Sequence, residues 1–370
     1  MALAELLADV EELVRCESPS SDAAALARSA EVVARVGTRR LGVAPELLPG
    51  HHLRWRLGPG PARVLLLGHH DTVWPLGSLD THPYTVDGGV LRGPGCFDMK
   101  TGLALAFQVA AGRSGVTLLV TSDEELGSPG SRELIEAEAM AVDAVLVLEA
   151  SAGSALKIER KGVSRYGVEV TGRAAHAGLE PEKGANATIE LAHQVLAIAA
   201  LADPAFGTTV TPTLMSAGSS TNTVPATGRL AVDVRVRDVA EQDRVLAGMR
   251  ALRPVLAGTA VTVTGGPNRP PLPASASEAL FRRAAALAAR LDHPPLTGVA
   301  VGGGSDGNFT AGVGTPTLDG LGAVGGGAHA DDEHVLVDEL PARAALLSAL
   351  LDDLLAAPTK PPAASGAPRP

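Results

Sequence analysis

Arg63-Val64-Leu65-Leu66-Leu67-Gly68-His69-His70-Asp71 is an apolar run that ends on two imidazoles and a carboxylate. Two further stretches repeat the design. Val116-Thr117-Leu118-Leu119-Val120-Thr121-Ser122 stops at Asp123-Glu124-Glu125, and Ala144-Val145-Leu146-Val147-Leu148 stops at Glu149. Short continuous apolar runs between turn signals read as strands of a parallel sheet, buried on both faces. Such sheets bind ligands beyond the carboxyl ends of their strands, so these side chains converge on one crevice. Carboxylates crowded there repel one another unless cations hold them, which predicts a metal site with two ions.

The elements around these runs alternate. Leu3, Leu6, Leu7, Val10, Leu13 and Val14 keep helical spacing, and further helices are predicted over 22–38, 100–111 and 131–140. Strand and helix in turn specify a mostly parallel α/β sheet. The rhythm then changes to strand 162–171, helix 186–200, strands 208–216 and 229–237, helix 239–252 and strand 260–264. That order, βαββαβ, is the order of a ferredoxin-like unit. Gly265-Gly266-Pro267-Asn268-Arg269-Pro270-Pro271 reads as a linker. The α/β pattern resumes with a helix over 275–291, strands over 298–301 and 315–318, and a terminal helix with Asp338 as N-cap and Pro341 in its first turn. One discontinuous domain is therefore expected over 1–160 and 268–357, with a second inserted over 161–267. The Pro/Ala/Ser-rich tail over 358–370 is expected to be disordered.

Composition narrows the function class. The 370 residues are 45% hydrophobic but only 2% aromatic, so Ala, Val and Leu must build the core. A net charge of −10 argues against a nucleic-acid footprint and does not favour an anionic membrane. Two cysteines, Cys16 and Cys96, allow one disulfide but no disulfide scaffold, and Cys96 reads as a small buried thiol. The first sixteen residues lack a basic n-region and an apolar h-region, and no apolar stretch reaches membrane-spanning length. A cytoplasmic location is the expectation.

Several constellations can carry chemistry. In His69-x-Asp71 the carboxylate can orient the imidazole of a metal ligand, although buried structural histidines keep similar company. Gly93-Pro94-Gly95 delivers Asp98, which also reads as the N-cap of the helix beginning near Lys100. Adjacent glutamates at a strand end can divide labour: one binds a metal while its neighbour takes a proton from water. Glu149 can supply another oxygen, and the glycines at 325, 326 and 327 form a flexible loop that brings in His329. Gly302-Gly303-Gly304-Ser305-Asp306-Gly307 matches a dinucleotide fingerprint but lies near the wrong end of the fold. It reads instead as a loop whose backbone N–H groups at Gly303, Gly304 and Ser305 grip a substrate carboxylate. Asp233 and Arg235 face the same side of a predicted strand, where they can simply brace the sheet.

In this order the pieces resemble the di-zinc metallopeptidases that include glutamate carboxypeptidase, aminoacylase and succinyl-diaminopimelate desuccinylase. The resemblance runs from Ser18-Pro19-Ser20 to the terminal helix. It rests on Gly68-His69-His70-Asp71-Thr72-Val73, Gly93-Pro94-Gly95-Cys96-Phe97-Asp98-Met99-Lys100 and Asp123-Glu124-Glu125-Leu126-Gly127-Ser128. Gly172-Arg173-Ala174-Ala175-His176-Ala177-Gly178 and Gly327-Ala328-His329-Ala330-Asp331-Asp332-Glu333 complete it. The resemblance implies two Zn2+ per subunit, with Co2+ or Mn2+ as substitutes, bridged by Asp98. His69 and Glu149 would complete one site, Glu125 and His329 the other. Asp71 would orient His69 and Glu124 would be the general base. The inserted domain would be a lid and dimerisation domain, with Arg235, His176 and Asn222 holding the substrate, the latter two across a homodimer interface. His176 would also stabilise the oxyanion. The implied substrate is a small acyl-amino acid or peptide with a free carboxylate; among the three members named, the chain most resembles glutamate carboxypeptidase, with an N-acyl-amino-acid amidohydrolase the alternative. The glycine-rich run over 322–327 departs from the tighter spacing usual in the family.

Overall fold

Leu65 and Leu67 pack into one apolar cluster with Leu119, Val145, Val147 and Phe309, while Val64 and Leu66 pack into another with Leu118, Val120 and Leu146. Side chains alternate across a strand, so a run that is apolar at every position has core on both faces. Each fully buried leucine contributes about 1.5–3 kcal/mol relative to an exposed one. A computed structural model describes residues 3–357, and the tail over 358–370 lies outside the described residues. The chain divides into two compact units. One takes in the residues up to Ile158, Ala274–Ala300 and those from Ser305 on; the other comprises Glu159–Pro273 and Val301–Gly304.

The first unit is built on a six-stranded sheet in the order Glu46–Leu48, His52–Leu57, Val116–Thr121, Val64–His69, Ala144–Val147, Thr317–Leu318. The last four strands are parallel; His52–Leu57 joins them antiparallel, and Glu46–Leu48 pairs antiparallel with His52–Leu57. The helices Leu3–Val14, Thr101–Ala110, Ala274–Arg290 and Leu340–Ala356 supply residues to the larger cluster. Arg132–Met140 and Gly307–Gly312 supply the smaller. A small antiparallel sheet, in the order Gly325–Gly326, His334–Leu336, Val90–Arg92, Thr85–Asp87, has no counterpart in the expected pattern. Two of the three glycines expected to form a flexible loop, Gly325 and Gly326, are therefore paired. A side chain at Gly325 would collide with the His334 carbonyl, and Gly327 turns the chain at φ +73°.

The second unit is a four-stranded antiparallel sheet in the order Thr209–Ala217, Thr227–Val236, Gly162–Thr171, Ala260–Arg269. With the helices Ala187–Ala199 and Val239–Arg250 it follows the βαββαβ order. Val168, Val170, Leu230, Val232 and Val234 pack with Leu191, Ile198, Val245 and Met249, while Glu169 and Arg229 on the other face form an exposed ion pair. The expected linker beginning at Gly265 instead extends the last strand to Arg269. An edge strand tolerates Pro267, which lacks an N–H, and the register shifts there. Asp338 is not an N-cap: it lies in the 3-10 turn Val337–Glu339, and the terminal helix starts at Leu340. Cys16 and Cys96 are free, Cys96 being fully buried. Among the described residues no helix is long and apolar enough to cross a membrane.

Candidate metal centre

The parallel strands aim their carboxyl ends at one cluster in the first unit. His69 ends the strand Val64–His69, and Glu124 and Glu125 open the 3-10 turn that follows Val116–Thr121 after two intervening residues. Glu149 lies two residues beyond Ala144–Val147. The small sheet supplies the rest: Val90–Arg92 leads into the turn Cys96–Lys100 carrying Asp98, and the connection between its two neighbouring strands carries His329. Asp98 does not cap a helix, since the following helix starts at Thr101 without a side-chain cap.

One Asp98 oxygen, Oδ1, lies 3.4 Å from His69 Nε2, and the other, Oδ2, lies 3.4 Å from His329 Nε2. His69 Nε2 is also 3.5 Å from Glu149 Oε1, and His329 Nε2 is 3.1 Å from Glu125 Oε1. Potential ligand atoms of His69, Asp98 and Glu149 thus lie within 4.8 Å of one another, as do those of Asp98, Glu125 and His329. Glu124 belongs to a third such group with His69 and Glu125. His69 Nε2 and Asp98 Oδ1 are buried without a hydrogen-bond partner. A divalent ion bound tetrahedrally at ~2.0–2.1 Å separates its ligand atoms by about 3.3 Å. The donor set and its spacing fit a pair of such ions.

The electrostatics agree. Burial alone would depress the His69 imidazolium, but the carboxylates of Asp71, Asp98 and Glu149 raise its pKa well above the ordinary value. Asp98 and Glu125 push His329 up to about 10. Burial opposes ionisation of Asp98, yet the two imidazoles hold its carboxyl far below the usual range. Burial lifts Glu125, which has the Asp98 charge beside it. Here the two imidazoles, joined by Lys157 Nζ 3.9 Å from Glu149 Oε2, balance several acids, a task that metal ions perform better.

Surrounding side chains hold this geometry. Asp71, fully buried, meets His69 Nδ1 with its backbone carbonyl at 3.0 Å and its Oδ1 at 3.3 Å, and accepts the backbone N–H groups of Glu124 and Glu125 at 3.3 and 3.2 Å. Ser20 Oγ donates to its other oxygen at 2.7 Å. Asp123 accepts from Gly130 N at 2.6 Å and Ser131 Oγ at 2.5 Å, closing the turn from behind. Sequence reasoning missed Glu333, whose buried carboxylate accepts from the Asp98 turn. Only its place three residues after the repeated Ala-His-Ala of the last motif hinted at a role.

The remaining candidates lie apart from the cluster in sequence. In the second unit, His176 and Thr223 form an antiparallel bridge and Ala177 N donates to Asn222 O, so His176 and Asn222 share one exposed edge. His176 Nδ1 accepts from Gly178 N and Leu179 N, both at 3.1 Å, which leaves Nε2 as the donor of the neutral ring. Arg235 pairs in bidentate fashion with Asp233, Nε to Oδ1 at 2.8 Å and Nη2 to Oδ2 at 3.0 Å. The Gly303 and Gly304 carbonyls accept from Arg160 Nη1. Ser305 is fully buried and commits its N–H to Asn308 Oδ1 and its hydroxyl to Asp319. It thus has no donor left to grip a substrate carboxylate, contrary to expectation.

Fold and cluster together define a metal-dependent hydrolase. Residues 65–353 match the model of peptidase family M20/M25/M40, and the chain belongs to that family. It is 31% identical over 366 residues to carboxypeptidase G2 of Pseudomonas sp. (strain RS-16), covering 93% of this chain and 88% of that protein. It is 29% identical to the succinyl-diaminopimelate desuccinylase of Methylorubrum extorquens (strain PA1), covering 94% and 98%. Among solved structures, an M20 family metallo-carboxypeptidase from Sulfolobus solfataricus superposes with a TM-score of 0.77 at 16% identity, covering 95% of this chain and 99% of that one. A tripeptidase from Staphylococcus aureus does so with a TM-score of 0.74 at 20% identity, covering 96% and 99%. The protein is a metallopeptidase or amidohydrolase.

Proposed function

We propose that the protein is a two-zinc amidohydrolase of carboxypeptidase type. Its substrates would be small N-acyl-amino acids or peptides with a free carboxylate, C-terminal glutamate foremost. One observation carries the reading: the two oxygens of Asp98 face two separate imidazoles, each with its own second carboxylate. Asp98, His69 and Glu149 would hold one ion, and Asp98, Glu125 and His329 the other, with Co2+ or Mn2+ able to replace zinc. Bound there, the ions supply Lewis acidity, polarising an amide carbonyl and acidifying water.

Glu124 is buried beside the cluster, and the Asp71 contact to its backbone fixes where its carboxylate starts. It takes a proton from the attacking water as the new C–O bond forms. It then delivers that proton to the amine nitrogen as the C–N bond breaks. His176 Nε2–H is free of the backbone bonds at Nδ1 and suits donation to the oxyanion. Arg235 and Asn222 would recognise the substrate's polar ends. A cytoplasmic homodimer paired through the second unit completes the reading. It is supported by the edge strand Thr209–Ala217, whose Leu214 and Met215 are 73% and 54% exposed. Light scattering that finds a monomer would remove this part.

The relatives named succinyl-diaminopimelate desuccinylase favour a second reading, an N-acyl-amino-acid amidohydrolase with the same chemistry. Zinc-loaded protein should be offered acyl-glutamates, acyl derivatives of apolar amino acids, and N-succinyl amines. The first reading predicts the highest kcat/KM for acyl-glutamates; a preference for N-succinyl amines or apolar acyl-amino acids supports the second. In the same assay Glu124→Gln should retain two zinc ions by elemental analysis and lose about 10²–10⁴-fold in turnover. Turnover near wild type refutes the mechanism.

A further inference from the structure

We infer that Glu333 is a positioning residue that clamps the Asp98 turn and couples it to the segment carrying His329. Its carboxylate, in a residue 3% exposed, accepts four donors. Oε1 takes Phe97 N at 2.9 Å and Asp98 N at 3.0 Å, while Oε2 takes Gly95 N at 3.0 Å and the Trp74 indole N–H at 2.6 Å. A carboxylate has about four acceptor sites, so every one is committed. Three of the donors are backbone groups of the turn that presents Asp98, and bonds from N–H to an ionised oxygen are the strong kind.

The other end of the clamp is equally tied. Glu333 N donates to Ala330 O at 3.0 Å and Ala330 N to Gly327 O at 2.9 Å, a compact turn around His329. Directly after it, His334 pairs with Arg92 and Val335 with Leu91, the strand that feeds the Asp98 turn. One side chain thus sets the spacing between Asp98 and His329, whose 3.4 Å separation suits a shared ion. Trp74 reads the same carboxylate from the loop after Asp71, so its indole reports on the clamp.

Glutamine tests the clamp sharply. Its amide nitrogen must replace one oxygen, and either position sets N–H against two N–H donors. The inference rests on the reading of Asp98 and His329 as metal ligands, so zinc itself is the probe. Holoprotein is diluted into excess colorimetric chelator and zinc release is timed for wild type, Glu333→Gln and Trp74→Phe. Tryptophan emission and thermal unfolding of the zinc-free proteins are followed alongside. Outer-shell changes of this sort cost about 10–100-fold in metal affinity. Glu333→Gln should release zinc at least about tenfold faster and shift Trp74 emission. Trp74→Phe, which removes one donor of four, should accelerate release by about threefold. If Glu333→Gln does not fold, unchanged release from Trp74→Phe overturns the clamp. Release at the wild-type rate from a folded Glu333→Gln, with only its unfolding temperature lowered, does so too and makes Glu333 merely structural. A wild-type protein that takes up no zinc would instead overturn the metal reading itself.

Discussion

Replacing Asp71 by Asn removes one negative charge and changes no volume, so its cost can be worked from the bonds of a single buried side chain. With the amide nitrogen in the Oδ1 position, N–H would oppose Glu124 N, 3.3 Å away, and His69 Nδ1 at the same distance. In the Oδ2 position it would oppose Glu125 N, at 3.2 Å, whereas the Ser20 hydroxyl at 2.7 Å can rotate to accept. The second orientation is cheaper. It leaves one backbone N–H unsatisfied and strips charge assistance from the remaining bonds, about 1.5–3 kcal/mol in all. The His69 ring keeps the Asp71 backbone carbonyl at 3.0 Å but loses the negative charge 3.3 Å from Nδ1, a change beside a metal ligand that corresponds to about 10–100-fold in metal affinity or activity. Asp71→Asn should therefore lower kcat/KM on an acyl-glutamate by about that factor. Thermal and denaturant unfolding of the zinc-free protein should show a stability loss of about 1.5–3 kcal/mol. Hydrolysis within twofold of wild type would refute the argument that Asp71 sets both the His69 ring and the Glu124 turn.

Arg235 and Asp233 are 28% and 31% exposed, so their ion pair as a brace is worth at most about 1 kcal/mol, and Arg235→Lys should barely change stability. If Arg235 grips the substrate carboxylate, the same change lowers kcat/KM by tens-fold on free-carboxylate substrates and little on their amides; equal losses on both leave it a brace. Glu190, fully buried, accepts Val255 N, Leu256 N, Thr259 Oγ1 and Gln194 Nε2, and these bonds outweigh burial to hold its carboxyl below the usual 4.5. A lowered folded-state pKa means that the unfolded chain binds the extra proton, so this stabilisation is complete above about pH 4.5 and fades as pH falls through the folded value. Glu190→Gln should lower the second unit's stability by about 1–3 kcal/mol at pH 7 and flatten its acid limb; an unchanged acid limb would contradict the account.

The readable parts of this fold were those governed by apolar pattern. Runs such as Val64–His69 have both faces buried, and their ends name most of the cluster. The small sheet stayed hidden because its strands are two or three residues long and one is Gly325–Gly326, without β-forming side chains. Gly265 and Pro267 looked like a linker because sheet edges tolerate what strand interiors do not. Asp98 resembled a helix cap because sequence spacing does not separate a capping acid from one in a tight turn two residues earlier. Glu333 was opaque for another reason: three of its four partners are backbone N–H groups, which sequence does not display. Ser305 looked available beside three glycines, but Asn308 and Asp319 occupy its donors.

The bridging role of Asp98 is tested most directly by diffraction from zinc-grown crystals at the zinc absorption edge. The account predicts two anomalous peaks about 3.5–4 Å apart. One should lie against His69 and Glu149, the other against Glu125 and His329, with one oxygen of Asp98 on each. A single peak, or two peaks that do not share Asp98, would contradict it.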